Sequence, residues 1–162
     1  MKTIVLVRHG KSSWKYDVSD AERPLKSRGV NDGKLVANQY LGSNDVPEKI
    51  FTSPAKRALS TCRIFMDVFG LSENSFTIDM DLYDFSGEGV INFIKKLPNT
   101  IDSAMIFGHN HAFTSIANIF GDRFIDNLPT SGLVKLNFDI DNWQDFKQGT
   151  TELVIIPKEL KK

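Results

Sequence analysis

The feature that most constrains the fold is a short apolar run near the N-terminus that stops abruptly at polar residues. Thr3–Val7 is rich in β-branched and apolar side chains, and Arg8, His9 and Gly10 follow it directly. Because the run does not alternate, it predicts a strand buried on both faces, as in a parallel sheet. Ligands of open α/β sheets bind just beyond the carboxyl ends of such strands, so the junction brings a cation and an imidazole to that edge. Gly10 permits a sharp turn or a close approach of the backbone to a ligand.

The same pattern occurs a second time, later in the chain. Ser103–Phe107 is another short apolar run, and Gly108, His109 and Asn110 follow it. A single histidine at a strand end is more often structural, but two in matched positions favour a functional interpretation. In that interpretation both imidazoles face one cleft at the carboxyl edge of the sheet.

A third motif combines a strand end with a predicted helix start. Lys49–Thr52 is a predicted strand, Ser53 is a predicted N-cap, and Pro54 fits the first helical position. This places Arg57 in the first turn, where free N–H groups and the helix dipole already favour an anion. A planar guanidinium matches phosphate oxygens, so the motif predicts a phosphate clamp. The alternative is a solvated surface arginine on an amphipathic helix.

Together these motifs resemble one family, the histidine phosphatase superfamily, which includes the cofactor-dependent phosphoglycerate mutases. The matching motifs are RHG after the first strand, S-P-A-x-R-A-x-x-T after the second, and GHN after a later strand. The short branch of SixA-type phosphohistidine phosphatases also shares the RHGKSSW opening, the E-R-P-L-x-x-R-G stretch at Glu22–Gly29 and the L-P-T sequence at Leu128–Thr130. The resemblance spans nearly the whole chain, with the motifs in the expected order.

The resemblance implies a metal-independent phosphatase that needs no cofactor and forms a covalent phosphohistidine intermediate. His9 is the candidate nucleophile, because a neutral imidazole nitrogen can attack phosphorus and divide one difficult step into two. Arg8, Arg57 and His109 are expected to stabilise the charge of the transferring phosphoryl group, with His109 protonated when phosphate is bound. In the wider family a carboxylate after the third strand acts as general acid, and Asp84 stands at the matching position.

Several positions leave alternatives open. Glu88 is the rival of Asp84 as general acid, and either could be an ordinary surface residue. Lys11 and Lys15 stand where mutase-like members often have Glu and Asn, which puts substrate contacts beyond the phosphate in doubt. His111 replaces a usual proline, and it either lines the rim of the cleft or caps the following helix; we favour the cap.

The expected substrate is phosphohistidine on another protein, for example in a phosphotransfer or signalling domain. Connections around the cleft are short and contain no inserted lid, which predicts an open cleft. The alternative within the family is a small-molecule phosphomonoester phosphatase or a mutase. Two other classes of site are a metal centre built from His9, His109, His111 and Asp84, and a non-catalytic phosphate-binding module. The chain has no ligand spacing of the HExxH kind, which argues against the metal centre.

Composition agrees with one enzyme domain over residues 1–162. Twenty basic and twenty acidic residues balance, so no polybasic surface suggests binding to nucleic acid or to anionic lipid. Cys62 is the single cysteine, which excludes an internal disulfide and fits a reducing compartment. The chain enters its first strand at once, and its apolar runs fall short of the roughly 20 residues that span a bilayer. We therefore expect a cytoplasmic protein with no membrane partner.

Strand and helix patterns alternate along the chain. This order predicts a three-layer α/β fold, with a mainly parallel central sheet, helices on both faces and an antiparallel pair at one edge. A frayed tail is expected over Lys158–Lys162. The predicted strands are Thr3–Val7, Lys49–Thr52, Phe76–Ile78, Ala104–Phe107, Leu133–Phe138 and Leu153–Ile156, and the predicted helices are Arg28–Leu41 after a Ser27 cap, Pro54–Phe69, Glu88–Leu97 and His111–Phe120.

Overall fold

The centre of the molecule is a six-stranded sheet with helices packed on both faces. The structure is a computed structural model and describes residues 1–161. The strands are β1 (Lys2–Arg8), β2 (Lys49–Thr52), β3 (Thr77–Ile78), β4 (Ser103–Gly108), β5 (Leu133–Phe138) and β6 (Thr150–Ile155). The helices are α1 (Ser27–Leu41), α2 (Lys56–Phe69), α3 (Glu88–Lys95), α4 (Ala112–Phe120) and α5 (Pro157–Leu160). The predicted three-layer α/β class is confirmed.

The first strand is buried on both faces, as its lack of alternation predicts. Ile4 and Leu6 belong to the apolar core under α3 and α4, whereas Val5 and Val7 belong to the core under α1 and α2. All four of these side chains are fully buried. A strand that contributes to two cores lies in the interior of a sheet, and its carboxyl end is fixed in place by neighbours on both sides.

The order of the strands brings the three sequence motifs together. The sheet runs β3-β2-β4-β1-β5-β6, and the first four strands in this order are parallel. In β1 and β4, Arg8 is directly opposite Gly108, so His9 and His109 leave the sheet side by side. In β2 and β4, Thr52 is opposite Phe107, which places the start of the Arg57 segment next to them.

The antiparallel pair predicted at one edge is also confirmed, since β5 and β6 pair antiparallel. The sequence did not indicate that β5 would be an interior strand, antiparallel to β1. Through this pairing the Pro129–Gly132 turn before β5 reaches the active edge, where the Ser131 N–H donates to the His9 carbonyl (3.0 Å).

Two predicted helix starts are wrong. Helix α2 begins at Lys56 after Ala55, so Ser53 is not its N-cap and Pro54 is not helical. The Ser53 hydroxyl instead accepts from the Ala55 N–H (3.2 Å) and pairs with His109, because it closes a turn between the strand and the helix. Helix α1 includes Ser27, and no side chain caps it.

The C-terminal tail is more ordered than the sequence predicted. Residues 157–160 form α5, and Lys161 Nζ lies 2.6 Å from the carboxylate of Asp32, which is buried on α1. This ion pair anchors the end of the described chain, whereas Lys162 lies outside the described residues. Among the helices of residues 1–161, none combines the length and the apolar character that crossing a membrane requires.

Candidate active site

An open cleft of about 310 Å³ lies at the carboxyl edge of the sheet. Two larger hollows occur elsewhere, one in the loop between β5 and β6 and one between the β3 edge and α3, and no histidine lines either. The residues that line the cleft combine cationic, aromatic and hydroxyl side chains with one carboxylate. They are Arg8, His9, Lys11, Ser12, Trp14, Asp20, Arg23, Arg57, Phe85 and Thr130.

His9 lines the cleft with one ring nitrogen already committed. Its Nδ1 lies 2.7 Å from the Gly10 carbonyl, and because a carbonyl can only accept, Nδ1 carries the proton. The Nε2 atom therefore has its lone pair available. The backbone around the ring is tightly held, since the Gly10 N–H donates to Thr61 Oγ (2.9 Å), and a Cβ at Gly10 would lie 3.0 Å from the Gly29 carbonyl. The lack of a side chain at Gly10 therefore allows close packing against Gly29, whereas the predicted approach of this backbone to a ligand stays a prediction.

The surroundings of His9 keep its imidazole neutral. Burial, together with the positive charges of Arg57, Arg8 and Arg23, lowers the pKa of His9 to about 4, although the bond to Gly10 opposes the shift. A neutral ring with a free Nε2 is the form that can act as a nucleophile.

His109 is fully buried and lies directly behind the cleft. Its ring centroid is 5.4 Å from that of His9, and the Tyr83 and Phe85 rings are 5.3 and 5.0 Å away. Nε2 is 2.8 Å from Ser53 Oγ, while Nδ1 is buried and has no hydrogen-bond partner within residues 1–161. Burial and the neighbouring His9 and Arg57 lower the pKa of His109 to about 3, so an anion would be needed to make it protonated at neutral pH.

Arg57 sits in the first turn of α2, as predicted, but its terminal nitrogens have a partner that was not predicted. Nη1 donates to the Asp20 carbonyl (2.7 Å) and Nη2 donates to Asp20 Oδ2 (2.9 Å). The side chain is 2% exposed, and its Nε has no hydrogen-bond partner among the described residues. The guanidinium is therefore fixed by a two-point contact while one buried N–H remains available.

Two further arginines complete a positively charged wall. Arg8 donates from Nη1 to the Leu128 carbonyl (2.7 Å), so the L-P-T motif serves to hold this side chain. Its Nε is buried, also without a hydrogen-bond partner in the described part of the chain. Arg23, in the E-R-P-L stretch, is buried and donates to Ser12 Oγ (2.6 Å) and to Asp20 Oδ1 (3.4 Å). Arg8 and Arg57, which both line the cleft, thus each keep one buried N–H without a hydrogen-bond partner among the described residues.

The sequence analysis missed several site residues, among them Asp20 and Tyr83 as well as Arg23, Trp14 and Phe85. The Asp20 carboxylate accepts hydrogen bonds from Tyr83, Arg57 and Arg23. Burial raises the pKa of Asp20, but these hydrogen bonds and the charge of Arg57 outweigh it and hold the pKa at about 2. Asp20 is therefore ionised at neutral pH. The one signal in the sequence was its position just before the E-R-P-L stretch.

The structure does not bring Asp84 into the cleft with the other predicted residues. Its Oδ2 accepts from the Gly87 and Val90 N–H groups (3.0 and 3.1 Å), and its Oδ1 accepts from Ser86, so it caps the start of α3. Burial raises the pKa of Asp84, but the hydrogen bonds from Val90, Ser86 and Gly87 leave it below its usual value. This contact set favours a structural role over proton donation.

The remaining sequence candidates lie at or beyond the rim. Glu88 is the exposed first residue of α3. His111 is exposed and occupies the N-cap position of α4, where its side chain makes no capping hydrogen bond. Lys11 lines the cleft, whereas Lys15 lies outside it, with Nζ 5.9 Å from the centre of the Tyr16 ring. Within residues 1–161, His, Cys, Asp and Glu side chains do not gather in threes in a geometry that could hold a metal.

Known proteins are similar to this chain in both sequence and fold. The structure of the protein histidine phosphatase SixA complexed with tungstate has a similar fold, with a TM-score of 0.81 and 23% sequence identity. The match covers 98% of this chain and 99% of the SixA chain. A mycobacterial glucosyl-3-phosphoglycerate phosphatase gives a TM-score of 0.68 at 11% identity, covering 94% and 98%. An uncharacterized protein of Mycobacterium leprae is 29% identical over 163 residues, which is 91% of this chain and 96% of that protein.

The family itself is established by a match over more than half of the sequence. Residues 4–90 match the family model described as histidine phosphatase superfamily (branch 1). This range contains the RHG motif, the S-P-A-x-R motif and the E-R-P-L stretch, which supply three of the four predicted catalytic core residues. The chain belongs to branch 1 of the histidine phosphatase superfamily.

Proposed function

We propose that this phosphatase removes phosphate from phosphohistidine on another protein through a covalent intermediate on His9. The observation that carries the proposal is the state of the acidic side chain in the cleft. Among residues 1–161, the one carboxylate that lines the cleft is Asp20, which is ionised and held by arginines. The cleft therefore lacks a free carboxylic acid of the kind that P–O cleavage with a basic leaving group requires.

The first step would be an in-line attack by His9 Nε2. As this nitrogen bonds to phosphorus, the P–N bond of the substrate breaks and its electron pair returns to the substrate imidazole. A substrate ring that is protonated at its other nitrogen leaves as neutral imidazole, so no further proton is needed. Water then attacks the phosphorus of phospho-His9, which releases inorganic phosphate and restores the imidazole.

The arginines would stabilise the charge on the phosphoryl oxygens during both steps. Arg8 and Arg57 each have a buried Nε–H that makes no hydrogen bond within residues 1–161, and these donors are fixed before substrate arrives. Preorganised charged donors in a water-poor site are the largest contribution to catalysis of phosphoryl transfer. His109 would add a further donor through Nδ1, and the charge of the phosphoryl group would raise its pKa.

The shape of the cleft supports a macromolecular substrate. The cleft is open, and a histidine side chain presented on a protein surface can reach His9 from outside. The fold likeness to the protein histidine phosphatase SixA agrees with this assignment. The protein that carries the phosphohistidine would be a phosphotransfer domain in the cytoplasm.

A small-molecule phosphomonoester phosphatase is the second candidate. The likeness to the glucosyl-3-phosphoglycerate phosphatase favours it, because that protein shares the fold and acts on a small ester. The test is the ratio of kcat/KM for a phosphohistidine protein to kcat/KM for sugar phosphates. We expect a higher kcat/KM for the phosphohistidine protein. If kcat/KM for a sugar phosphate is higher by about tenfold, which corresponds to about 1.4 kcal/mol in transition-state binding, the proposal is overturned.

Asp84→Asn is expected to weaken the fold rather than the chemistry. An asparagine keeps one acceptor oxygen but turns an amide toward N–H donors of α3, so the free energy of unfolding should fall by about 1–2 kcal/mol. Denaturant unfolding measures this loss, and Glu88→Gln, on the same turn, is the control and should change little. A loss of kcat/KM that is selective for alkyl over aryl phosphates would instead restore Asp84 as the general acid.

The low pKa of His9 predicts that the acid limb of the pH profile of kcat/KM is displaced to lower pH. Protonation removes the lone pair of Nε2, so activity falls as pH drops through the pKa of His9 in the free enzyme, about 4. The kcat/KM for an aryl phosphate, corrected for ionisation of the substrate, should therefore not decline at the usual histidine value, about 6.5. A decline centred near pH 6.5 would show that His9 is not held neutral by its surroundings.

A further inference from the structure

Two of the aromatic side chains that line the cleft are largely exposed. Trp14 is 77% exposed and Phe85 is 48% exposed, and both line the cleft that contains His9. Exposed aromatic groups that converge on one cleft indicate a surface that binds something. Both rings therefore share the cleft with the proposed nucleophile, His9.

Both rings are held in fixed orientations. One face of Trp14 lies 3.2 Å from the guanidinium carbon of Arg23, which is buried and bonded to Ser12 and Asp20. Phe85 packs edge-on against Tyr83 (5.6 Å between centroids) and lies tilted against the His109 ring (5.0 Å). Rigid aromatic faces bind a flat partner with little further loss of conformational entropy.

We infer that Phe85 and Trp14 determine specificity by binding the planar imidazole of the phosphohistidine substrate, an inference that rests on the proposed function. While its phosphoryl group is held by the arginines next to His9, the substrate ring extends toward the mouth, where the two aromatic faces lie. A protonated phosphoimidazole ring is a flat cation, and aromatic faces attract both flat rings and cations. The protonated form is also the form that departs as neutral imidazole.

The same aromatic surface distinguishes phosphohistidine from other phosphorylated groups. An alkyl or sugar phosphate presents neither a π face nor a delocalised cation to Phe85, so it gains less from these contacts. Specificity of this kind is a difference between two substrates, and it is measured as a ratio of their kcat/KM values.

The test uses two small P–N substrates that differ in the ring. Phosphoimidazole contains the imidazole ring, and phosphoramidate contains no ring. In Phe85→Leu and in Trp14→Leu, kcat/KM for phosphoimidazole relative to that for phosphoramidate should fall about fivefold, the scale of a lost aromatic stack. Phe85→Tyr retains an aromatic ring and should keep the wild-type ratio. Phe124→Leu removes an aromatic side chain that is 80% exposed and outside the cleft, so it should also keep the ratio.

An unchanged ratio in both leucine variants would overturn the inference, even if both substrates were hydrolysed more slowly. A ratio lowered equally by Phe124→Leu would overturn it as well. Trp14 is so exposed that its replacement by leucine should not affect folding, which keeps the test informative if Phe85→Leu is unstable. If the wild-type enzyme prefers sugar phosphates to a phosphohistidine protein, the proposed function fails; if it prefers phosphohistidine and the ratio does not respond, this inference alone fails.

Discussion

Replacing His9 by alanine is expected to lower kcat/KM by at least about a thousandfold for every phosphorylated substrate, as loss of a covalent nucleophile does elsewhere. His9 is the proposed nucleophile because it lines the cleft, its pKa is lowered to about 4, and its Nδ1–H is held by the Gly10 carbonyl, which leaves Nε2 unprotonated. The measurement is steady-state turnover of an aryl phosphate and of a phosphohistidine protein. His111→Ala is the matched control, since His111 is an exposed histidine that is not among the residues lining the cleft, and its loss should change turnover little.

No other side chain in the cleft is expected to take over the attack. Cys62 is fully buried in the core, and burial raises the pKa of its thiol, so it remains protonated and out of reach. Turnover in His9→Ala within about tenfold of the wild type would contradict the proposed mechanism, because removing a nucleophile costs far more than that.

Replacing Arg57 by alanine is expected to lower kcat by about 10²- to 10³-fold, the scale of losing one preorganised donor to a transition state. The loss should exceed that of an ordinary ion pair because Arg57 is almost completely buried and fixed by two bonds to Asp20. Arg57→Lys should recover little activity, since an ammonium cannot contact Asp20 at two points and still offer an N–H to phosphate.

The control for Arg57 is Arg63→Ala on the same helix. Arg63 is half-exposed and pairs with Glu73 (2.8 Å), so its loss removes a positive charge from α2 without touching the cleft. Unfolding by denaturant should accompany the kinetics, because loss of the Asp20 contact also loosens the loop before α1. Wild-type kcat in Arg57→Ala would show that this arginine serves the fold and not the reaction.

The convergence of His9 and His109 could be predicted from the sequence because it depends on two local patterns and one general rule. Each histidine follows an apolar run without alternation, and parallel strands place their carboxyl ends at one edge. The register of β1 with β4 confirms this reasoning. The position of Arg57 in the first turn of α2 was predictable for the same reason, although the exact start of the helix was not.

Asp20 could not be predicted, because it begins a single turn of 3-10 helix (Asp20–Glu22), which is too short to show periodicity, and it reaches Arg57 only through the tertiary fold. Asp84 shows the opposite difficulty. Asp84 follows the third strand, as the sequence analysis expected, but the sequence does not show which way a side chain points. Tyr83 and Phe85 turn toward His109, and the residue between them turns toward the start of α3.

The Ser53 hydroxyl shows a third limit. Its type and position fit an N-cap, and the physical preference for capping is real. In the structure the same hydroxyl accepts from the Ala55 N–H in the turn before α2 and also contacts His109, so it serves the candidate site instead of capping the helix. Deviations from local rules are expected at functional sites, and this one occurs where two strand ends meet.

The central claim is that phosphate passes through His9, and the most direct measurement is the site of covalent phosphate. Wild-type enzyme is mixed with a phosphohistidine protein, quenched in base within one turnover, digested and analysed by mass spectrometry. The expected result is an acid-labile, base-stable phosphate on His9 that is absent from His9→Ala. Phosphate on Cys62 or on a serine, or turnover with no labelled enzyme at any time, would contradict the account.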